Sequence, residues 1–251
     1  TGADLTYHVH VPGARLRATV YHASLKNQFW TRTFWHDGYN ATVNLIMRKV
    51  HVDHQGIELG LEKSAGRHLF QGAAGYASAV YRGRPELEAW QDNNSMNLYS
   101  NRTTYLNNYR SNSSPQLAFG LCYRFSGRRS WFISAAISRF SQIYTNVNPQ
   151  RRTAAATAKY SQDEFELAMK IVAQENIDPW WLANFGVYKA FRLRNRSLIG
   201  CSIHVNNVLD ARTIYTGFEQ LRWDDSNPDL FAPKYFFSPP RTILMSLTFN
   251  I

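Results

Sequence analysis

The sequence predicts an all-β protein: an antiparallel transmembrane β-barrel, of which this chain holds about nine strands of a larger barrel. Three observations lead to this prediction. Apolar and polar residues alternate along many segments, and short and long connections between those segments alternate strictly. The sequence also contains no run of eighteen apolar residues, which a helical membrane span would require. With 251 residues, 14% of them aromatic, the chain can bury a large surface, which excludes wholesale disorder.

Period-two alternation identifies the strands in chain order. The clearest case runs from Gln116 to Phe125, where every second residue is apolar and the residues between are small or polar. The predicted strands are 5–11, 14–35, 56–62, 69–83, 116–125, 131–144, 180–191, 199–206 and 242–251. Because successive side chains of a strand point to opposite faces, parity predicts which residues face lipid and which face the lumen. The predicted lipid-facing residues are Leu117, Leu121, Ile203, Met245 and Leu247, and the predicted lumen-facing residues are Gln116, Gly120, Ser202, Thr248 and Asn250.

The connections between these strands fall into two kinds. Short breaks rich in Gly, Pro, Ser, Asn and Arg lie near 12–13, 65–68, 126–130 and 192–197, and the connections at 36–42, 84–113, 145–179 and 208–240 are mostly tens of residues long. A soluble sandwich has no reason to place every long loop at one end, whereas an outer-membrane barrel has short periplasmic turns and long extracellular loops. The short turns are therefore predicted to lie on one side of the membrane and the long connections on the other.

One long connection is predicted to contain a short helix. Ser161 and Glu164 form a capping box, and apolar residues follow at helical spacing until Asn176 and Pro179. The polar residues near the start of this helix are acidic, which favours packing onto neighbouring loops over binding to a membrane surface.

Six phrases occur in order between about Thr33 and Ile251. They are His36-Asp37-Gly38-Tyr39-Asn40, His54-Gln55-Gly56-Ile57-Glu58-Leu59-Gly60, Ser114-Pro115-Gln116, Asn148-Pro149-Gln150-Arg151-Arg152-Thr153, Asn206-Asn207-Val208-Leu209-Asp210 and Lys234-Tyr235-Phe236-Phe237. Together they resemble the C-terminal barrel of TonB-dependent outer-membrane receptors, in particular the subgroup that often carries an N-terminal carboxypeptidase-regulatory-like domain. The chain departs from the family pattern at its end, where Ile251 stands in place of an aromatic residue.

The resemblance implies energy-coupled import of a nutrient ligand across the outer membrane. Residues 1–251 would be the C-terminal portion of the barrel, with the plug and the N-terminal strands outside this chain. The implied partners are those strands and that plug, TonB through an N-terminal segment, a surface lipoprotein, and lipid with lipopolysaccharide. Nine up-and-down strands cannot close with every neighbour antiparallel, and the chain opens on Thr1 without a signal segment, so we expect it to begin inside a longer protein. The alternative is an outer-membrane barrel that binds partner proteins structurally, without transport.

The candidate ligand-binding residues lie mostly in the long connections. A guanidinium can hold a carboxylate or phosphate through two hydrogen bonds, and exposed indoles can stack on a ligand, so arginines and tryptophans at the mouth predict an anionic or strongly polar ligand. The predicted site residues are Arg110, Arg151, Arg152, Trp35 and Trp223. An equal alternative is that the arginines pair with loop carboxylates such as Glu219, Asp224 or Asp225, or with lipopolysaccharide phosphates.

Other functions find less support in the sequence. The net charge of +10 fits nucleic acid, an acidic membrane or an anionic ligand, but the basic residues are scattered over turns and loops, so we expect no nucleic-acid partner. His51 and His54 have opposite parity, and the two cysteines lie far apart, so no metal site is predicted. A hydrolase at the membrane edge would need a Ser or Asp beside a His, and none stands out; we expect neither enzymatic activity nor a cofactor.

Overall fold

The computed structural model describes residues 1–92, 96–111, 114–193, 197–222, 224, 227 and 230–250, except for the side chain of Asn250. The strands are β1 (Gly2–Val11), β2 (Ala14–His36), β3 (Ala41–Ala65), β4 (His68–Arg82), β5 (Glu86–Gln91), β6 (Asn97–Thr103), β7 (Leu117–Gly127), β8 (Trp131–Ser141), β9 (Ile143–Tyr144), β10 (Asn176–Ile177), β11 (Trp180–Arg192), β12 (Leu198–Asn206), β13 (Ile214–Phe218), β14 (Lys234–Phe237) and β15 (Thr242–Asn250). The helices are α1 (Ala154–Thr157) and α2 (Phe165–Val172), with 3-10 turns at Asp37–Tyr39, Pro149–Arg152 and Gln162–Glu164.

Nine strands form one up-and-down antiparallel sheet in the order β1-β2-β3-β4-β7-β8-β11-β12-β15, which confirms the predicted all-β fold and its strand number. β5 pairs with β3 and β6, while β9 with β10 and β13 with β14 form two small sheets inside long connections. In the described part of the chain, β1 and β15 stand at the two ends of the path and do not pair with each other, so the sheet is open.

The short and long connections lie at opposite ends of this sheet, because neighbouring strands on the path are antiparallel. Two-residue turns join β1 to β2 and β3 to β4, with Gly13 and Gly66 at φ of +72° and +62°, a conformation that glycine adopts without strain. One predicted connection differs: residues 36–42 hold a single 3-10 turn, Asp37–Tyr39, since β2 and β3 both continue to it. The fourth short turn was predicted near Asn195 and Arg196. Residues 194–196 lie outside the described part of the chain.

The strand register separates the side chains onto two faces as parity predicts. We call the outer face the one that carries Leu117, Leu121, Ile203, Met245 and Leu247. Gln116, Gly120, Ser202 and Thr248 have the opposite parity and lie on the inner face, while the side chain of Asn250 lies outside the described part. The outer face forms a broad apolar band in which Ile57, Tyr76, Leu117, Ile137 and Ile203 are all exposed. On the inner face, Gly60, Ala73, Gly120 and Ser138 stand side by side across four strands.

The packed core lies beyond the apolar band, towards the long connections. Lys49 has a φ of +57° and interrupts the β2–β3 register, so that odd residues of β3 before it share a face with even residues after it. The core therefore combines Val43, Leu45 and Met47 with Val50 and Val52, and adds Leu87, Ala89 and Leu106. Trp30, Phe34, Tyr81, Tyr109, Val147 and Leu221 pack against it. This core joins the upper strands to the long connections.

The predicted helix is confirmed as α2. Ser161 N donates to Glu164 Oε2 at 3.1 Å in the capping box, and Tyr109 Oη donates to the Val172 carbonyl at the other end at 2.6 Å. The helix thus packs on another long connection, as expected. Across the residues described, no helix has both the length and the apolar character needed to cross a membrane.

Candidate functional site

The described parts of the three longest connections fold together at the end of the sheet opposite the short turns. We call the described residues within 97–111, 145–179 and 208–237 the loop layer. Its centre is the stretch from Thr145 to Asn146. Thr145 N donates to the Glu175 carbonyl at 3.1 Å, and Asn146 N donates to the Gly217 carbonyl at 3.0 Å. Tyr105 N donates to the Arg152 carbonyl at 2.7 Å. Backbone hydrogen bonds therefore join all three connections into one body.

A buried ion pair between Arg152 and Glu219 fastens this layer. Arg152 is 2% exposed and Glu219 is 5% exposed. The guanidinium donates through Nη2 to Glu219 Oε1 at 2.6 Å and through Nη1 to Glu219 Oε2. It also donates to the carbonyls of Ala173 and Asn148, and it stacks over the Tyr109 ring at 4.9 Å. Asn148 N donates to Glu219 Oε2 at 2.8 Å, so several donors compensate the buried carboxylate.

The structure confirms one of the two interpretations left open for the arginines, the pairing of Arg152 with Glu219. Arg151 is also buried, and its Nη2 donates to the Phe231 carbonyl at 2.9 Å. Arg110 points to the opposite side of the wall from Arg152, since it bridges Val80 on the outer face and its Nη1 donates to Ser78 Oγ at 2.7 Å. The structure therefore does not bring the three arginines together. Their contact with a ligand stays a prediction.

A polar cavity of about 750 Å³ opens between the tip of β2 and the long connections. Trp35, 47% exposed, lines it. Arg102 lies over the Tyr99 ring at 4.0 Å, and Arg222 lies over the Phe231 ring at 4.4 Å, so two cationic and aromatic pairs line the cavity. Such walls suit a ligand with anionic and flat apolar parts, because the guanidinium edges can bind an anion while the rings offer stacking faces.

Arg222 also closes the cavity against the tip of β2. Its Nε and Nη2 donate to Asp37 at 2.9 and 2.7 Å across a separation of 185 residues. These hydrogen bonds hold the pKa of the Asp37 carboxyl below its ordinary value, so the pair is ionised at neutral pH. A forked pair of this kind fixes the plane of the guanidinium and leaves its other edge available.

Of the predicted site residues, Trp35 lies at the cavity, whereas Trp223 lies outside the described residues. Sequence reasoning missed Arg102, Arg222 and Tyr99. Asp37 belonged to a phrase that carries the family resemblance, but nothing in the sequence linked it to Arg222. Only the folding of two distant connections onto one another brings these side chains together.

A second acidic contact lies on the far side of the layer, where β14 meets the segment after α2. Tyr235 Oη donates to Glu175 Oε2 at 2.6 Å. Burial of the phenol, together with this hydrogen bond, raises the pKa of Tyr235 to about 12. The hydroxyl therefore remains a donor throughout the ordinary pH range.

The structure also brings together a Ser, a His and an Asp that sequence analysis did not connect. On the outer face, just beyond the apolar band, Ser24 Oγ lies 2.8 Å from His51 Nε2, and Asp53 Oδ1 lies 3.0 Å from the same nitrogen. In a hydrolytic triad the carboxylate holds the other imidazole nitrogen, so that the serine proton has a place to go. Arg82 Nε also donates a hydrogen bond to Asp53 Oδ2 at 2.9 Å. This trio lacks the geometry of a proton relay.

Among the described residues, no three His, Cys, Asp or Glu side chains lie close enough together to hold a metal ion. His8 and His10 stack at 6.2 Å as neighbours on the inner face of β1.

These features define a class of structure: the open antiparallel wall of a large barrel, with a loop layer at one end that encloses a polar and aromatic cavity. The sequence matches no protein-family model and no curated protein. Among solved structures, the chain is similar to the ferric-catecholate import receptor Fiu from E. coli K12 in its closed form, with 12% identity and a TM-score of 0.51. The match covers 98% of this chain and 27% of the receptor, so the chain spans about a quarter of the length of that protein. At this identity the similarity establishes the fold.

Proposed function

We propose that this chain forms the C-terminal barrel wall and the extracellular loops of an energy-coupled, TonB-dependent importer in the outer membrane. The observation that carries the proposal is the similarity in fold to an import receptor over 98% of the chain. The phrases of the sequence that resemble the TonB-dependent family support the same conclusion independently, and they also suggest the subgroup with a carboxypeptidase-regulatory-like domain.

The two faces of the sheet support a membrane location. An apolar outer face fits lipid tails, while the inner row of Gly60, Ala73, Gly120 and Ser138 leaves room for a plug close to the wall. The open edges of β1 and β15 expose backbone groups that lipid cannot satisfy, so further strands of the same receptor must pair with them. TonB would act through a segment outside this chain, and the proposal involves no enzymatic step.

The cavity between the tip of β2 and the loop layer supports a role in ligand capture. We place the ligand contacts at Trp35, Arg102 and Arg222. The ligand class that these residues suit is an anion with a flat aromatic or sugar part. The receptor Fiu is named for ferric-catecholate import, and a ferric catecholate carries both features, anionic charge and aromatic rings. The predicted contacts of Arg110, Arg151, Arg152 and Trp223 belong to the same proposal.

One observation favours the alternative, a barrel that binds partner proteins without transport. Helix α2 exposes Phe165 (63%), Leu167 and Met169, an apolar surface that a surface lipoprotein could cover. Deleting a candidate lipoprotein while following uptake separates this role from transport.

Uptake by the whole receptor in cells tests the proposal. We expect a Trp35→Ala/Arg102→Gln/Arg222→Gln variant to lose uptake of a radiolabelled ferric catecholate, with Arg128→Gln in an exposed short turn as the matched control. Wild-type uptake should also disappear without TonB. If uptake persists in the triple variant at equal surface levels, the cavity does not take part in ligand capture. If uptake persists without TonB, transport is not energy-coupled through TonB.

A further inference from the structure

A second cavity of about 470 Å³ lies between α2 and β14, on the side of the loop layer where Tyr235 meets Glu175. Its volume falls within the range of about 300–1,000 Å³ that is usual for small-molecule sites. Among the described residues, none lines both this cavity and the cavity at the tip of β2. The second cavity is therefore a separate feature of the loop layer, and we call it the helix cavity.

The sequence of α2 explains one wall of the helix cavity. Leu167, Lys170 and Ile171 follow at the spacing i, i+3 and i+4, which places them on one face of the helix, and all three line the cavity. Ile171 is buried, whereas Leu167 and Lys170 are exposed at the rim. Just beyond the helix, Gln174 Nε2 donates to the Thr145 carbonyl at 2.8 Å. The helix thus places a cationic rim above a buried floor.

The floor of the helix cavity contains a hydroxyl without a partner. Thr145 is fully buried, and its backbone is satisfied, since its N–H donates to the Glu175 carbonyl at 3.1 Å and its carbonyl accepts from Gln174. Its methyl carbon lies beside Gly217. Its Oγ1 has no hydrogen-bond partner in the described part of the chain, although buried hydroxyls are normally bonded. A polar group of a ligand in the cavity is the partner that this hydroxyl fits.

The rim of the helix cavity carries a cation without a carboxylate partner. Lys170 forms no ion pair among the described residues. Glu175, also exposed, accepts from Tyr235 Oη at 2.6 Å through Oε2, which leaves Oε1 to accept from a ligand. Arg151 and Glu219, the other charged residues of the lining, bind groups of the loop layer. The rim therefore offers one cation for an acidic group and one acceptor for a hydroxyl.

We propose that the helix cavity binds an acidic monosaccharide of the uronate class, with its carboxylate on Lys170 and its ring hydroxyls on Thr145 and Glu175. A sugar hydroxyl both donates and accepts, so one ring satisfies the threonine hydroxyl and the glutamate carboxylate together. Leu167 and Tyr235 line the same cavity and provide apolar surface for the C–H face of the ring. This binding goes beyond the proposed import function and does not depend on it.

Equilibrium dialysis of radiolabelled glucuronate against the full receptor in nanodiscs measures this binding. We expect Thr145→Val and Lys170→Gln each to weaken binding about tenfold, since each removes one hydrogen bond to the sugar. Thr145→Ser keeps the hydroxyl and should bind like wild type. Glu166→Gln is the matched control on α2, because Glu166 does not line the cavity, and it should also bind like wild type. Wild-type binding by both Thr145→Val and Lys170→Gln would overturn the proposal.

Two competitors define the class of ligand. Glucose has the hydroxyls without the carboxylate and should displace glucuronate about tenfold less well than unlabelled glucuronate does. Acetate has the carboxylate without the hydroxyls and should fail to displace it at the same concentration. Equal displacement by either competitor would contradict an acidic sugar site, as would the absence of binding by glucuronate, galacturonate and mannuronate alike.

Two controls separate this site from folding and from import. Amide hydrogen exchange in 145–147 should be unchanged in Thr145→Val without ligand; if that variant loosens the layer, Lys170→Gln at the exposed rim decides the test. The variant Trp35→Ala/Arg102→Gln/Arg222→Gln should bind glucuronate like wild type, and Lys170→Gln should take up the ferric catecholate like wild type. Failure of the helix cavity is therefore distinguishable from failure of the import function.

Discussion

Replacing Arg152 by alanine should loosen the loop layer while leaving the nine-stranded sheet intact. The change leaves Glu219 buried at 5% exposure without its guanidinium, and it also removes the donors to the Ala173 and Asn148 carbonyls. Removing one partner of a buried ion pair costs about 3–5 kcal/mol. At about 1.4 kcal/mol per factor of ten, the layer should open roughly a hundred to several thousand times more often.

Hydrogen exchange followed by mass spectrometry measures this opening segment by segment. Amides in 145–147 and 214–219 should exchange faster by that factor, whereas those of β7 and β8 should keep the wild-type rate. Arg128→Ala, in a solvent-exposed turn, is the matched control and should change neither region.

A double variant tests the physical cause. Arg152→Met with Glu219→Gln removes both charges while keeping similar volumes, so it should recover most of the protection that Arg152→Ala loses. If the double variant is as open as the single one, shape and hydrogen bonds hold the layer and charge compensation does not. If Arg152→Ala exchanges like wild type, the ion pair contributes nothing and the reasoning is refuted.

Three further predictions concern the wall and the layer. Leu247→Arg on the outer face should cost about 2–4 kcal/mol at mid-bilayer and Thr248→Arg on the inner face much less, as measured by reversible urea unfolding in lipid vesicles; equal costs would contradict the assignment of faces. In intact cells that carry the protein with Cys122 and Cys201 replaced, a thiol reagent should label Lys159→Cys in the loop layer and spare Ser126→Cys beside a short turn. The opposite labelling pattern would contradict the predicted orientation of the strands in the membrane. Tyr235 has its pKa raised from 10.0 to about 12, so its stabilising hydrogen bond is complete below pH 10 and is lost as pH rises towards 12; Tyr235→Phe should abolish that loss in hydrogen exchange of β14, and an unchanged pH dependence would exclude this phenol as its source.

The nine wall strands were predictable from sequence because each has one apolar face and one small or polar face. Because of that requirement, apolar and polar residues alternate with a period of two wherever a strand crosses the apolar band, as in β7 and β15. β3 shows where the signal ends: the alternation was recognised only over 56–62, although the strand runs from Ala41 to Ala65. The irregularity at Lys49 reverses the parity, so the apolar residues of its two halves do not form one alternating series.

The strands inside the long connections were missed for a different reason. β13 and β14 pack against other connections, so neither face has a uniform chemistry. β5 does alternate, with Leu87 and Ala89 in the core and Glu86 and Glu88 on the other face, but it has only six residues and lies inside a long connection. The candidate site was predictable to a lesser extent: Trp35 could be selected as an exposed aromatic residue at the tip of a strand. The pairing of Asp37 with Arg222 depends on tertiary folding across 185 residues, which no local pattern encodes.

Under the proposed function, the buried Arg152–Glu219 pair that fastens the loop layer restricts how the ligand preference can change during evolution or in the laboratory. Exchanging residues 145–179 for a loop without counterparts of Arg152 and Asn148 would leave Glu219 buried without its donors, so such a loop cannot be exchanged alone. New specificity is more accessible through substitutions at the cavity rim, at Trp35 or Arg102, whose replacement leaves the anchor beneath them untouched. Chimaeras should therefore succeed when all three connections are exchanged as a set.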